Sequence, residues 1–461
     1  MSKDRRSFLK KIAAGTMGTA LGSSFLQASE ARIEELQVLN RSFSANDKIR
    51  IAGIGMGIQG FSNMDEAIKV PGVELVAVCD LYDGHFTACK ERYGNHLFTT
   101  RDYREILKRD DIDAVCIATP DHWHDHISIA ALEAGKAVYC EKPMVHHLEE
   151  GHAVIAAQKK SGKPLQVGSQ RVSSIITWKA RELMQQGVIG PVNMIEATTD
   201  RHSALGAWQY SIPTDASPET MDWDQFLGDA PKHAFDPVRF FRWRNYQDYG
   251  TGMAGDLYVH LFSALHTVLD SHGPERIFAT GGLRYWKDGR DVPDVQLSVL
   301  DYPETKAHAA FNMQLRCNFV DGSEGGSILR IIGSEGAIDL GWNSVTVIPH
   351  PTAKQPGYGG WDTYETFSAV EKKKYEDWYK NQYPMPDMQI NSPEKIEYKA
   401  PQGYDAHLDH WANFIMSIRT GKPVFEDAAF GLRAAGPSLA ANVSYFGNKI
   451  VKWDPEAMKM V

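Results

Sequence analysis

The chain has 461 residues, with 43% hydrophobic and 23% charged side chains and a formal net charge of −9. That length allows two or three domains with their own cores, and the acidic balance excludes a nucleic-acid binder. After the N-terminus no run is long and apolar enough to span a membrane.

Residues 4–10 read Asp-Arg-Arg-Ser-Phe-Leu-Lys and lead into a Gly/Ala-rich, weakly apolar stretch to about Ala28. The pattern resembles a twin-arginine export signal over residues 1–31, followed by a linker over 32–47. A periplasmic location is expected, with no membrane attachment after signal removal. The five cysteines, Cys79, Cys89, Cys116, Cys140 and Cys317, show no zinc-ligand spacing and read as buried thiols.

Residues 48–170 alternate apolar strand runs with helical patterns, which predicts a doubly wound parallel sheet. The run Ile49–Ile54 precedes Gly55, Gly57 and Gly60 in the spacing G-x-G-x-x-G. The first glycine permits a sharp turn, the second a close approach of pyrophosphate, and the third tight packing of the next helix. Ile58 and Gln59 complete that phosphate loop. Asp80 follows the next apolar run, about 20 residues on, where an acid would hold an adenine-ribose diol. Its charge would repel a 2′-phosphate, so NAD is favoured over NADP. Thr119, Lys142 and Gln170 also fall at strand ends and should converge on the same crevice.

The run Asp121-His-Trp-His-Asp-His126 spans a strand-to-helix turn. Its three histidines should not share a face, so no metal site is expected and the loop should line the nucleotide crevice.

The glycine motif, Thr119-Pro-Asp-His-Trp-His124, Ala131-Leu-Glu-Ala-Gly135 and Cys140-Glu-Lys-Pro143 together resemble the Gfo/Idh/MocA family of NAD(P)-dependent oxidoreductases. Members mostly act on sugars and cyclitols. The resemblance adds Pro120, His124 and Glu141 to the cofactor contacts. It makes Lys142 a substrate contact that helps shift the proton of the reacting hydroxyl.

From residue 171 to 461 the expectation is an α+β domain with a large, mainly antiparallel open sheet. Alternating strands are predicted at 192–197, 276–280, 295–300, 307–315, 327–332 and 337–340. A bare sheet face would call for a second subunit, so a homodimer or homotetramer through this sheet is expected. Arg171 and Arg201 either meet substrate oxygens or pair with surface acids. Gly250-Thr-Gly252 precedes Asp256 and His260, which at i and i+4 share one helical face. In the family such an aspartate binds the sugar, and the histidine is a candidate acid/base. A histidine tuned near neutrality could take the hydroxyl proton. Where many relatives have glycine two residues after the aspartate, this chain has Tyr258, which would narrow the pocket or stack on the substrate. The Asp-His-Trp of residues 409–411 offers His407 or His410 as a further neighbour of the site. Residues 348–402 form a Pro-rich, aromatic insertion, either a lid or a subunit contact.

The resulting expectation is hydride transfer between a sugar or cyclitol hydroxyl and a tightly held NAD. The alternative is a glycoside hydrolase that oxidises a ring hydroxyl transiently, eliminates, adds water and re-reduces. Relatives of that second kind often lack the intact Glu-Lys-Pro that this chain keeps.

Overall fold

The computed structural model describes residues 48–323, 325–353, 355–383 and 393–461. The expected signal and linker, residues 1–47, lie outside the described residues.

Six short strands form the first sheet: β1 (Ile49–Ile54), β2 (Val73–Cys79), β3 (Phe98–Thr100), β4 (Ala114–Ile117), β5 (Ala137–Cys140) and β6 (Leu165–Val167). Their order is β3-β2-β1-β4-β5-β6, and every pairing is parallel. Strands β4, β5 and β6 are buried at every position. Continuous apolar runs such as Ala-Val-Cys-Ile suit strands covered on both faces. The crossovers are α1 (Ile58–Ala67), α2 (Asp83–Tyr93), α3 (Tyr103–Leu107), α4 (His124–Glu133) and α5 (Gly151–Ser161). Strand order reverses between β1 and β4, and a crevice opens at the carboxyl ends of strands where the order reverses.

The chain then forms α6 (Ile175–Gln185), β7 (Val192–Thr199), the short α7 (Trp223–Leu227) and α8 (Pro237–Phe241), and the buried α9 (Val259–Leu269). A 3-10 turn at Gln170–Ser173 precedes α6, which starts where the Ser174 side chain caps Ile176 N–H. Next come β8 (Arg276–Gly282), β9 (Val295–Tyr302), β10 (Phe311–Asn318), β11 (Ser327–Gly333), β12 (Gly336–Leu340) and β13 (Ser344–Pro349). The last elements are α10 (Ala369–Gln382), β14 (Ile396–Lys399), α11 (Ala406–Thr420), α12 (Ala428–Gly447), β15 (Val451–Asp454) and β16 (Lys459–Met460).

The second sheet has the order β14-β13-β12-β11-β7-β10-β9-β8-β15-β16. Only β7 and β10 pair in parallel; the other pairings are antiparallel. Strand β10 begins later than expected because a turn joining Thr305 and His308 uses the residues before it. The period-2 pattern of β9 buries Gln296, Ser298, Leu300 and Tyr302 and turns Leu297 and Val299 outward. The inner face packs against α6 and α12, and His266 of α9 reaches Tyr302 of β9; the outer face also exposes Phe278 and Ile328.

Helix α11 returns to the first sheet. Trp411 stacks on Tyr139 of β5 at 4.2 Å, and Phe414 and Ile415 join the core beneath β1 and β2. The segment after residue 170 therefore also completes the cover of the first sheet.

Candidate active site

The glycine motif is shaped by close contacts. Gly55 has φ +86°, and a Cβ on it would lie 2.7 Å from the Ala118 backbone. A Cβ on Gly60 would sit 2.0 Å from the Gly55 oxygen, so α1 can approach β1 only with glycine there. Gly57 differs: a Cβ on it would meet nothing within 4 Å. It caps α1 with no side-chain hydrogen bond, which leaves the first N–H groups of the helix available to an anion.

These residues border a cleft of about 290 Å³. Gly55, Gly57, Ile58, Gln59, Asp80, Thr119 and Pro120 line one side. Tyr210, Phe226, Phe241, Trp243 and Arg244 line the other. Asp80 accepts the Met56 N–H at 2.6 Å and the Tyr82 N–H at 2.9 Å, and His85 Nδ1 lies 3.0 Å away. Burial disfavours its charge, but the His85 ring and the two N–H groups outweigh that and lower the Asp80 pKa. The Thr119 hydroxyl is buried without a hydrogen-bond partner among the described residues. Open helix N–H groups, an ionised aspartate and an idle hydroxyl around one cleft fit a dinucleotide's phosphates and ribose.

Residues 210–244 roof this cleft and are fastened to the first sheet's loops. Thr220 and Leu81 carbonyls accept the N–H groups of Asp83 and Asp222 at 3.0 and 2.9 Å. Trp123 Nε1 donates to the Phe226 carbonyl at 3.0 Å, and Tyr82 Oη donates to Asp215.

The reactive groups meet beside Arg244. Lys142, just beyond β5, donates from Nζ to Asp256 Oδ1 at 2.8 Å and to the Asp256 carbonyl at 2.9 Å. Arg244 Nε donates to the same carboxylate oxygen at 3.1 Å. Burial opposes the charge on Asp256, but Lys142 and Arg244 overrule it and hold the carboxyl far below the usual range. Asp256 occupies a wide π-type turn, Ala254–Tyr258, that feeds α9. Such turns recur at functional sites. Asp121 accepts from Thr251 N at 3.0 Å and Thr251 Oγ1 at 2.7 Å, tying the glycine-rich turn to the first sheet.

His260 follows on α9. Its Nδ1 is buried with no hydrogen-bond partner among the described residues. Burial, then the Lys142, Arg171 and Arg201 cations, push its imidazole well below the ordinary value, and Asp256 opposes them only in part. The ring is therefore held neutral, which corrects the expectation of a histidine tuned near neutrality. Arg171 is buried beside it, and burial lowers its pKa to about 10. Its Nη2 donates to the Gly341 carbonyl at 3.2 Å and more weakly to that of Leu340. Arg201 donates to the Gly206 carbonyl at 2.9 Å. Among the described residues neither of these two arginines pairs with a surface acid, the second of the two alternatives the sequence leaves open for them.

Several expected contacts serve other ends. His124 spends Nδ1 on the Pro143 carbonyl at 2.7 Å and Nε2 on the Thr119 carbonyl at 2.9 Å. It fixes the loops around the cleft and does not line it. Glu141 is buried, and its Oε1 accepts from Gln59, Asn63 and Gln170. Gln170 is thereby turned toward Glu141 and Tyr139, behind the cleft wall. Tyr258 is fully buried with its hydroxyl on the Gln296 carbonyl at 2.8 Å, so it neither narrows the pocket nor stacks on a ligand. His410 bridges Ser173 Oγ and the Val167 carbonyl inside the core. His122 and His126 face different partners, the Phe226 carbonyl and Asp125. Among the described residues no group of three or more His, Cys, Asp or Glu side chains is placed to hold a metal ion.

The sequence points to neither Tyr210 nor the pairing of Arg244 with Asp256. Arg244 carried a signal, the Arg-Trp-Arg just before the glycine turn. Tyr210 carried none, because residues 203–240 have no periodic pattern.

Comparison with known proteins matches this geometry. Residues 49–169 fit the family model described as oxidoreductase family, NAD-binding Rossmann fold, and residues 177–339 fit the GFO/IDH/MocA C-terminal domain. A glycosyl hydrolase family 109 protein of Shewanella baltica is 32% identical over 176 residues, 34% of this chain and 38% of that protein. An inositol 2-dehydrogenase of Salmonella paratyphi B is 31% identical over 162 residues, 35% of this chain and 48% of that protein. The aligned stretches thus span less than half the length of these relatives. Among solved structures, levoglucosan dehydrogenase with NADH and levoglucosan superposes with TM-score 0.59 at 19% identity, covering 88% of this chain and 99% of that one. An oxidoreductase from Thermotoga maritima gives TM-score 0.60 at 19% identity, covering 89% and 100%. These two show a shared fold. The two family models together span more than half of the sequence, and the chain belongs to the Gfo/Idh/MocA family of NAD-binding oxidoreductases.

Proposed function

We propose that this enzyme moves hydride between a secondary hydroxyl of a sugar or cyclitol and NAD held in the 290 Å³ cleft. The observation that carries the reading is the buried Lys142–Asp256–Arg244 cluster between the cleft and His260. When bound, NAD supplies the hydride acceptor. The N-terminus of α1 would hold its pyrophosphate and Asp80 its adenine-ribose diol.

The chain's own residues manage the proton and the orientation. Asp256, fixed as a carboxylate, accepts hydrogen bonds from substrate hydroxyls. His260, fixed as a neutral ring, accepts one from the reacting hydroxyl. The hydroxyl proton passes to the His260 ring as hydride leaves the carbon for the nicotinamide, and the Lys142 ammonium stabilises the negative charge that develops on the oxygen during that transfer. The roof of residues 210–244 keeps water from the cleft.

Net oxidation and redox-neutral glycoside cleavage share these groups. Intact Glu141-Lys142-Pro143 supports the first; similarity to family 109 glycosyl hydrolases supports the second. The test is to purify the protein without added nucleotide and identify any cofactor it releases. Inositols, free sugars and aryl glycosides are then offered, with NADH formation and glycoside cleavage both followed. NADH accumulation establishes the dehydrogenase; cleavage without it establishes the hydrolase. A protein that neither carries nor binds nucleotide overturns both.

Two further readings belong to the same proposal. The bare sheet face with Phe278, Leu297, Val299 and Ile328 supports self-association. Sedimentation of Val299→Arg as a smaller species than the unaltered protein would check it. The Arg5-Arg6 motif supports export to the periplasm, which cell fractionation with Arg5→Lys/Arg6→Lys tests. The five cysteines are free and buried, which suits a protein folded before transport.

A further inference from the structure

We infer that Trp342 is the platform on which the ring of the substrate rests beside His260. The inference rests on the sugar or cyclitol reading and adds to it a residue that selects ring-shaped substrates.

Trp342 stands in the tight turn between β12 and β13 and is 45% exposed. Its ring centroid lies 6.0 Å from that of His260, at 64°. The Arg171 guanidinium sits over the indole at 4.7 Å and also holds the Gly341 carbonyl. Arg171 itself is only 3% exposed. One buried cation therefore fixes both the ring and the backbone just before it. A ring with a guanidinium over one face and nearly half its surface open has the other face to offer.

That face has a matching ligand chemistry. A pyranose or inositol chair with equatorial hydroxyls presents axial C–H groups on each face. These are apolar and slightly positive, and they suit the negative face of an indole. Hydroxyls around the rim of the chair stay free for Asp256, Lys142 and the His260 ring. An open-chain polyol has the same hydroxyls but no flat C–H face, and it gains nothing from Trp342.

The test uses NAD-loaded enzyme with myo-inositol, D-glucose and methyl β-D-glucoside as ring substrates and sorbitol as the open-chain control. For the best ring substrate, Trp342→Ala should raise KM about tenfold or more, with a smaller effect on kcat. Trp342→Phe, which keeps an aromatic face, should recover much of that loss. Neither variant should lose bound NAD. Unchanged KM in Trp342→Ala overturns the inference alone, leaving the hydride-transfer reading intact. Equal losses in the Phe and Ala variants also overturn it. If the unaltered enzyme turns over none of the ring substrates, the sugar reading fails and this inference fails with it.

Discussion

Lys142 and Asp256 meet at 2.8 Å, although 114 residues separate them in the chain. Lys142 leaves the end of β5 in the first sheet, and Asp256 sits in the π-type turn that leads to the long helix behind the second. The ion pair is the point where the two halves of the chain, each carrying one sheet, meet. Replacing Lys142 by Ala should lower kcat by about 10²- to 10⁴-fold, the usual range for a lost proton-handling group. Breaking a buried pair costs about 3–5 kcal/mol when the partner charge is stranded. Arg244 still neutralises Asp256, so the stability loss should fall below that range. Steady-state kinetics and thermal unfolding of Lys142→Ala separate the two effects.

The histidines set the response to acid. His260 and His266 are buried and held neutral, with His266 lowered to about 3. His122 and His410 are lowered to about 4, burial being the main cause in each. In the unfolded chain each would take a proton near pH 6.5. Their neutral burial is therefore unpenalised above that pH, and stability falls as pH drops from about 6.5 toward 4. Each such group steepens the fall by about 1.4 kcal/mol per pH unit. His266→Gln should reduce the slope by about one proton, measured by urea unfolding between pH 5 and 7. The same neutrality predicts no inflection from His260 in a kcat/KM profile between pH 6 and 8.

The glycines of the first loop should separate folding from cofactor binding. Gly57→Ala places a methyl in open cleft space, so the nucleotide-free protein should melt unchanged. NAD affinity should drop about tenfold or more, or about 1.4 kcal/mol. Gly60→Ala would press a Cβ against the Gly55 oxygen and should lower the melting temperature itself. Calorimetric NAD titration alongside thermal unfolding distinguishes the pair.

The roof over the cleft should control how long NAD stays. Asp215 receives the Tyr82 hydroxyl and helps hold residues 210–244 against the β2–α2 loop. Asp215→Ala should release nucleotide several-fold faster while KM for substrate changes little. Loss of cofactor absorbance through gel filtration measures it. An unchanged release rate would mean that the roof does not retain the cofactor.

Much of the first sheet was readable from residues alone. Gly55, Gly57, Gly60 and Asp80 act through local backbone geometry, and local geometry is written in short spacings. The family resemblance pointed to Lys142, Asp256 and His260, and the structure places Lys142 on Asp256, but the lowered pKa of His260 was not legible in it. That depends first on burial and then on Lys142, Arg171 and Arg201, brought together by packing that no spacing reveals. His124 shows the reverse case: its motif placed it at the cleft, while two carbonyls from separate loops claim both of its ring nitrogens.

The sequence by itself supplied a glycine loop and an acid at the spacing of a dinucleotide site, which follow from residue type and near-neighbour spacing; Lys142, Asp256 and His260 stood out only through the resemblance to the Gfo/Idh/MocA family. Tertiary structure decided that Arg244 shares Asp256 with Lys142, that Tyr258 and His410 belong to the core, and that Trp342 stands beside His260. Each of these is a contact between segments distant in the chain, fixed by packing of the two sheets and by the burial that makes every unpaired charge expensive.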